Sequence, residues 1–296
     1  MTGRVKAALD WLHLYGRRPP LWLELLFVAW LCWLYDMIAN LAPVRAGEAH
    51  RDSGWVLDGE KFLHLDPEAA LEHWLAGHHT LAVVLSNYYD NAHFVVTLGL
   101  VGALWWLWPE IYRPLRNAMV IMNLAALAVF LVFPAAPPRL FDPAVYPDLV
   151  ASTHAFGSWH SGTLGSVADQ FAAMPSLHIG WACWSSLAAW RIVEHRRSLR
   201  GWMRPKPLSR LRRPWWVWLY PAITAWAVMA TGNHFLFDLF GGVAVFAGSV
   251  VVADRWQARL DARRALRLVA ESDLAGAAVA PAHAYEASTH QLPDSQ

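Results

Sequence analysis

The sequence predicts an all-α polytopic membrane protein, with six transmembrane helices in a bundle and an amphipathic helix at the outer face. Three observations lead to this fold class. The 296 residues are 56% hydrophobic and include 19 tryptophans, whereas soluble domains are roughly 45–50% apolar. Six apolar segments are separated by polar connections. The connections alternate between many and few basic residues, which is typical of a fixed membrane topology.

The first part of the chain contains one apolar segment and a long polar region. Residues 1–20 are basic and form a predicted cytoplasmic amino terminus. Segment 21–41 is longer than a signal-peptide core and lacks a small-residue cleavage pattern, so we expect an uncleaved signal anchor. Residues 42–89 are mixed and acidic, and 67–85 has apolar residues at helical spacing. This spacing predicts the amphipathic helix at the membrane interface.

The other five spans are predicted at about 93–108, 117–133, 174–191, 215–230 and 234–253. Segment 21–255 would therefore be one membrane catalytic domain, with outer loops at 42–89 and 134–173. The tail, 256–296, becomes rich in alanine, proline and polar residues and loses apolar periodicity. We expect it to be cytoplasmic and largely disordered.

The basic residues determine the orientation of the six spans. The amino terminus, the connection between spans two and three, the loop after span four and the tail contain 4, 2, 9 and 5 lysines or arginines, which is 20 of the 24. By the positive-inside rule, both termini are cytoplasmic and the loops 42–89 and 134–173 are extracytoplasmic. The expected location is an integral membrane protein of the cell membrane.

The two cysteines exclude some site classes. Cys32 and Cys183 each lie within an apolar run, so a disulfide framework and zinc-type cysteine spacing are not expected. The histidines of the amphipathic segment (His73, His78 and His79) lack carboxylate or cysteine partners at ligand spacing and are expected to face solvent or headgroups. We expect no cofactor, no resident metal and no nucleic-acid partner.

The stretch TGNHFLFDLFGG at 231–242 contains two ionisable residues at the mouth of the sixth span. His234 and Asp238 are four residues apart, so they fall on one face of a helix. Because ionisable groups are costly within a membrane, such a pair indicates a functional site. The alternative is a structural pair that ties two spans together.

The predicted topology brings polar residues from three further segments to the same outer face. Arg139 follows the third span, Ser176 and His178 begin the fourth, and Tyr89 and His93 lie at the entrance of the second. Convergence of reactive and anion-binding side chains on one face favours a catalytic site over a structural pair.

These residue types suit chemistry on a phosphate. Arginine offers a fork of donors to phosphate oxygens, and the first turn of a helix beginning at Ser176 favours an anion. Of two histidines near one phosphate, one can attack phosphorus while the other donates a proton to the leaving oxygen. Asp238 can hold the tautomer of His234 and stabilise the positive charge that develops on its ring.

Three short motifs, APPR at 136–139, PSLH at 175–178 and HFLFD at 234–238, resemble the signatures of the type 2 phosphatidic acid phosphatase superfamily. Together with NYYDNAH at 87–93, they are most similar to its inositol phosphorylceramide synthase and inositolphosphotransferase-like branch. The resemblance covers roughly residues 65–255. It implies that His234 is the nucleophile, Asp238 its orienting acid and His178 the general acid, with Arg139 and Ser176 as phosphate binders.

The sequence departs from the usual motifs at two places. A lysine usually precedes the motif arginine by seven positions, where this chain has Val132, and Ser-Arg usually precedes the nucleophile where this chain has Ala227 and Val228. Either other groups complete the phosphate site, or the substrate carries less negative charge, as a phosphodiester does. The candidate groups are Tyr89, His93, Asn233, His154 and His160.

The expected function is therefore a phosphatase or phosphotransferase that acts on a membrane lipid phosphate, with water or an alcohol such as inositol as acceptor. Two alternatives use the same residues. His93, His178, His234 and Asp238 could be ligands of a metal in a metal-dependent hydrolase. Alternatively, the polar residues could line the pathway of a lipid transporter or flippase.

Overall fold

The computed structural model describes residues 18–39, 45–153, 171–200 and 214–288, and within these ranges the protein is all-α with no strand. The ten helices are α1 (Leu21–Ala39), α2 (Ala46–Leu63), α3 (Glu68–Ala76), α4 (His79–Leu107), α5 (Pro109–Val132), α6 (Pro138–Phe141), α7 (Leu149–Ser152), α8 (Leu177–Arg200), α9 (Leu219–Ala230) and α10 (Leu236–Ser288). A 3-10 helix, Trp215–Trp218, precedes α9.

The main core lies where α5, α8 and α10 pack together, with α4 and α9 on the sides. Met122 of α5, Trp184 of α8 and Leu239 of α10 are buried in it. The Trp184 indole N–H donates to the carbonyl oxygen of Leu115 at 2.8 Å, so this large side chain is buried without an unsatisfied donor. This core holds the amino-terminal ends of α8 and α10 side by side.

Two helices of the described part are long and apolar enough to cross a membrane, Pro109–Val132 and the first portion of α10, Leu236–Arg267. The all-α class is confirmed, and these two helices are compatible with membrane association. The predicted fifth span corresponds to the 3-10 helix and the short α9, which has only 12 residues. The predicted second span lies within α4, whose first half carries several polar residues.

The segment predicted as one amphipathic helix over 67–85 contains two helices. The first, α3, ends at Ala76, and α4 begins at His79 after a break at Gly77 and His78. Glycine is a poor helix former, and the N–H of Gly77 turns back to the carbonyl oxygen of Trp74. Two acidic residues of α3, Glu68 and Glu72, are fully buried against the rest of the protein, which an interfacial helix would not require.

The last helix extends far beyond the predicted sixth span. Helix α10 has 53 residues, although about 20 residues suffice to cross a bilayer. The sequence predicts a largely disordered tail over 256–296, whereas the helix continues to Ser288. Seven alanines between 271 and 288 favour a helix here, because alanine has the highest intrinsic helix propensity of all residue types, whereas Gly276 and Pro281 in the same stretch oppose it.

Candidate active site

The turn between α9 and α10 carries His234, whose side chain is only 4% exposed, and leads to Asp238, which is 0% exposed. Gly232 adopts a φ of 71° in this turn, a conformation that glycine tolerates without cost. Nδ1 of His234 lies 3.4 Å from Oδ2 of Asp238. A proton on Nδ1, facing this carboxylate, leaves the lone pair of His234 on Nε2.

The start of α8 lies directly against the start of α10. The N–H of Ser176 donates to the carbonyl oxygen of Asp238 at 2.9 Å, and the Ser176 hydroxyl accepts the N–H of Ile179 at 3.4 Å as a helix cap. Ser176 is fully buried. The backbone of Ser176 therefore links the two helix ends, while its hydroxyl caps α8.

The contact between these helix ends brings the two predicted catalytic histidines together. Nδ1 of His178 lies 3.3 Å from Nε2 of His234, and the ring centroids are 5.4 Å apart. The atom that would attack phosphorus thus faces the atom that would carry the proton.

Helix α4 contributes an aromatic wall to His178. The Tyr89 ring stacks on His178 with centroids 4.5 Å apart, and His93 meets the same ring edge-on at 4.4 Å. Nδ1 of His93 lies 2.9 Å from the carbonyl oxygen of Tyr89, so the ring orientation of His93 is fixed by its own helix. Both rings of α4 therefore pack directly against His178.

Arg139 lies at the other end of the turn and is held by three bonds. Its Nε donates to Oδ1 of Asn233 at 2.9 Å, and its Nη1 pairs with Oδ2 of Asp148 at 3.0 Å. Its backbone N–H donates to the carbonyl oxygen of Gly232 at 3.1 Å. No hydrogen-bond partner of Nη2 is found among the described residues.

All eight residues that the sequence predicts for the site form one connected set. They are His234, Asp238, His178, Arg139, Ser176, Tyr89, His93 and Asn233. Asn233 adjoins the nucleophile candidate, and its amide donates to the hydroxyl of Thr231 at 2.8 Å. Its side-chain oxygen accepts the Nε–H of Arg139 in this geometry. The further candidates His154 and His160 lie outside the described residues. The described residues contain no group of three or more metal-ligand side chains that could hold a metal ion.

A family profile matches residues 54–252, about two thirds of the chain, and its description is the PAP2 superfamily. The chain belongs to the PAP2 superfamily. No curated protein and no solved structure matches the sequence. Membership supports an enzyme of the phosphatase or phosphotransferase type that acts on phosphorylated lipids or small molecules. The three motifs that suggested the superfamily all lie within the matched range.

The two positions that usually carry a cation in the superfamily are occupied by apolar residues in this chain. Val228 is fully buried in the main apolar core, and Val132 is 80% exposed at the end of α5. Neither position contributes a polar group to the PAP2 site. Arg139 is therefore its principal cation among the described residues.

Sequence reasoning missed four acidic residues around the site. Asp148 pairs with Arg139, Glu68 accepts the N–H of Leu236, Glu60 accepts the N–H of Phe237, and Glu72 lies against Gly232. Burial raises the pKa of Glu72 to about 9, with a further increase from Glu68. These residues lie in the two loops that the sequence predicts to be outside the membrane, where acidic residues are ordinarily solvated, so no sequence pattern distinguished them.

Proposed function

We propose that this protein is a membrane-embedded enzyme that transfers a phosphoryl or phospho-alcohol group from a lipid phosphate through a covalent phosphohistidine on His234. The observation that carries this proposal is the alignment of Asp238, His234 and His178. Nδ1 of His234 faces a buried carboxylate at 3.4 Å, and its Nε2 faces a second histidine at 3.3 Å. The nucleophile thus lies between the orienting acid and the proton donor.

The first half of the reaction forms a bond between Nε2 of His234 and phosphorus and breaks the bond between phosphorus and the leaving oxygen. His178 gives its proton to that oxygen, and Asp238 stabilises the positive charge on the His234 ring. In the second half, His178 takes a proton from water or an alcohol as its oxygen attacks phosphorus, and the N–P bond breaks. Because the two rings are 3.3 Å apart at their nearest nitrogens, the substrate must separate them on binding.

The charge around Arg139 favours transfer of a phosphodiester over release of phosphate from a monoester. Asp148 already neutralises Arg139 at 3.0 Å, and Asp90 is close enough to interact with the same guanidinium. A phosphomonoester with two negative charges would find little net positive charge here, whereas a phosphodiester carries one. This weak positive charge supports a headgroup transfer to an alcohol such as inositol.

The proposed membrane arrangement has six spans, with both termini cytoplasmic and the site at the extracytoplasmic face. The distribution of basic residues supports the orientation. Large apolar side chains on the outer surfaces of the helices support contact with lipid, because a soluble protein rarely exposes extended apolar patches. Val95 of α4 is 71% exposed, and Val132 at the end of α5 is 80% exposed.

A substrate panel tests the proposal. Purified wild-type protein and His234→Ala are incubated with lipid phosphomonoesters and phosphodiesters, with and without inositol, and products are followed by mass spectrometry. His73→Ala, on the partly exposed helix α3, is the matched control. We expect turnover of a phosphodiester by the wild type and the control, and none by His234→Ala. Full turnover by His234→Ala on every substrate that the wild type processes would refute the proposal.

A further inference from the structure

The residue that precedes α10 has no side chain that could cap the helix. The helix starts at Leu236, and the preceding residue, which occupies the cap position, is Phe235. A helix start leaves backbone N–H groups without intrahelical partners, and serine, threonine, aspartate or asparagine usually accepts one of them from the cap position. A phenylalanine cannot do so.

Two glutamates from other helices take over this task. Oε1 of Glu68 in α3 accepts the N–H of Leu236 at 2.7 Å, and Oε1 of Glu60 in α2 accepts the N–H of Phe237 at 2.6 Å. Both side chains are fully buried. Helix α2 also packs tightly on this turn, because a Cβ at Gly59 would lie 3.1 Å from the Phe237 ring.

Asp238 completes the turn from within the helix. Its Oδ2 accepts the N–H of Phe235 at 2.9 Å, as the acidic residue of a capping box does. The same oxygen faces Nδ1 of His234 at 3.4 Å. The position of the carboxylate that orients the histidine therefore depends on the order of the first turn, and this order depends on the two glutamates.

We propose that Glu60 and Glu68 are positioning residues for the reaction, which cap α10 from outside and thereby hold Asp238 and His234 in their catalytic geometry. This inference rests on the proposed function. It also assigns the binding of phosphate to Arg139 and the start of α8, since the amides of Leu236 and Phe237 are already bonded.

The cost of burying these acids supports a specific role. In the described part of the chain, Oε2 of Glu60 and Oε2 of Glu68 have no hydrogen-bond partner, and a buried polar atom without a partner is unfavourable. Burial raises the pKa of Glu60 to about 8 and that of Glu68 to about 7. A neutral acid still accepts an N–H through its carbonyl oxygen, so glutamine is a close mimic of it.

The test compares three replacements at each glutamate. Leucine removes the hydrogen-bond acceptor. Aspartate shortens the side chain by one methylene group and so moves the acceptor away from the helix start, and glutamine keeps the acceptor in place. Asp58→Leu, at an exposed position of the same helix α2, is the matched control. For each variant, kcat and KM are measured on the lipid phosphate that the wild type turns over. Hydrogen exchange of the peptide 235–240 is measured by mass spectrometry.

We expect the leucine variants to lose kcat roughly 100-fold, because a catalytic group displaced by about 1 Å costs that much. KM should stay within about threefold, because substrate contacts are unchanged. Exchange at 235–240 should become faster, and the glutamine variants and Asp58→Leu should resemble the wild type. If the leucine variants do not accumulate, we expect the aspartate variants to show a smaller loss of kcat and a smaller increase in the exchange rate at 235–240.

Leucine and aspartate variants with wild-type kcat and wild-type exchange would overturn the inference. Glutamine variants as impaired as the leucine variants would overturn it too, because they retain the acceptor. His234→Ala is measured in parallel. If it stays active, the proposed function fails, while the exchange rates of the same peptide still decide whether the glutamates cap α10.

Discussion

Replacement of Gly242 by alanine tests whether the contact between α8 and α10 sets the distance between the two histidines. A Cβ at this position would lie far inside van der Waals contact with the carbonyl oxygen of Ser176 and 3.3 Å from Cβ of Ile179. The oxygen belongs to the backbone, so the start of α8 must move away by roughly 1 Å to restore normal contact. His178 is two residues further along the chain and moves with it.

The expected cost has two parts. A displacement of about 1 Å at a catalytic group lowers kcat/KM by roughly 100-fold, and insertion of a methyl group into a packed contact destabilises the fold by about 1–3 kcal/mol. The assay measures kcat/KM on the lipid phosphate and the Tm in detergent. Gly248→Ala on the same helix is the matched control, because among the described residues no atom lies within 4 Å of its Cβ. If Gly242→Ala keeps kcat/KM within about twofold of Gly248→Ala, the geometric reasoning is refuted.

Three further predictions concern charge. Asp238→Asn keeps the acceptor for the helix start but removes the charge beside His234, so kcat should fall by roughly 100- to 10,000-fold. Steady-state kinetics at an unchanged Tm measure this fall, and a wild-type kcat would contradict the prediction. Arg139→Lys replaces a planar fork by a point charge and should lower kcat/KM by roughly tenfold or more, mainly through KM; an unchanged KM would show that Arg139 does not contact the phosphate. Burial raises the pKa of Glu60 from its ordinary 4.5 to about 8 and that of Glu68 to about 7. The folded protein therefore binds protons more tightly than the unfolded chain. Its free energy of unfolding should fall as the pH rises from 4.5 to about 8. Thermal unfolding at pH 5 and pH 8 measures this fall, which Glu60→Gln and Glu68→Gln should each reduce; a Tm that rises over this range would contradict the sign.

The sequence alone predicted the motif residues of the site because their chemistry is local. The spacing of His234 and Asp238, and the residues that begin α8, follow from short runs whose helical periodicity can be read directly. The outward convergence of these runs followed from the charge distribution of the connections. The structure connects all of these residues by contacts.

The contacts that α2 and α3 make with the site could not be predicted in the same way. The role of Glu60 and Glu68 depends on contacts with Leu236 and Phe237, more than 160 positions away in the chain, and a single sequence contains no signal for such pairs. Gly77 breaks the apolar pattern of 67–85 only weakly, so two helices resembled one. The tail differs in the opposite sense, since the structure continues α10 to Ser288 where the sequence lacks an apolar stripe.

The central claim is that His234 carries the phosphoryl group during turnover. Wild-type protein is mixed with a lipid labelled at phosphorus, quenched in alkali within the first turnover, digested and analysed by mass spectrometry. A phosphohistidine is stable in alkali and is lost in acid. We predict acid-labile label on the peptide that contains His234, and none on His234→Ala. Label on another residue, or turnover without any labelled protein, would contradict the mechanism.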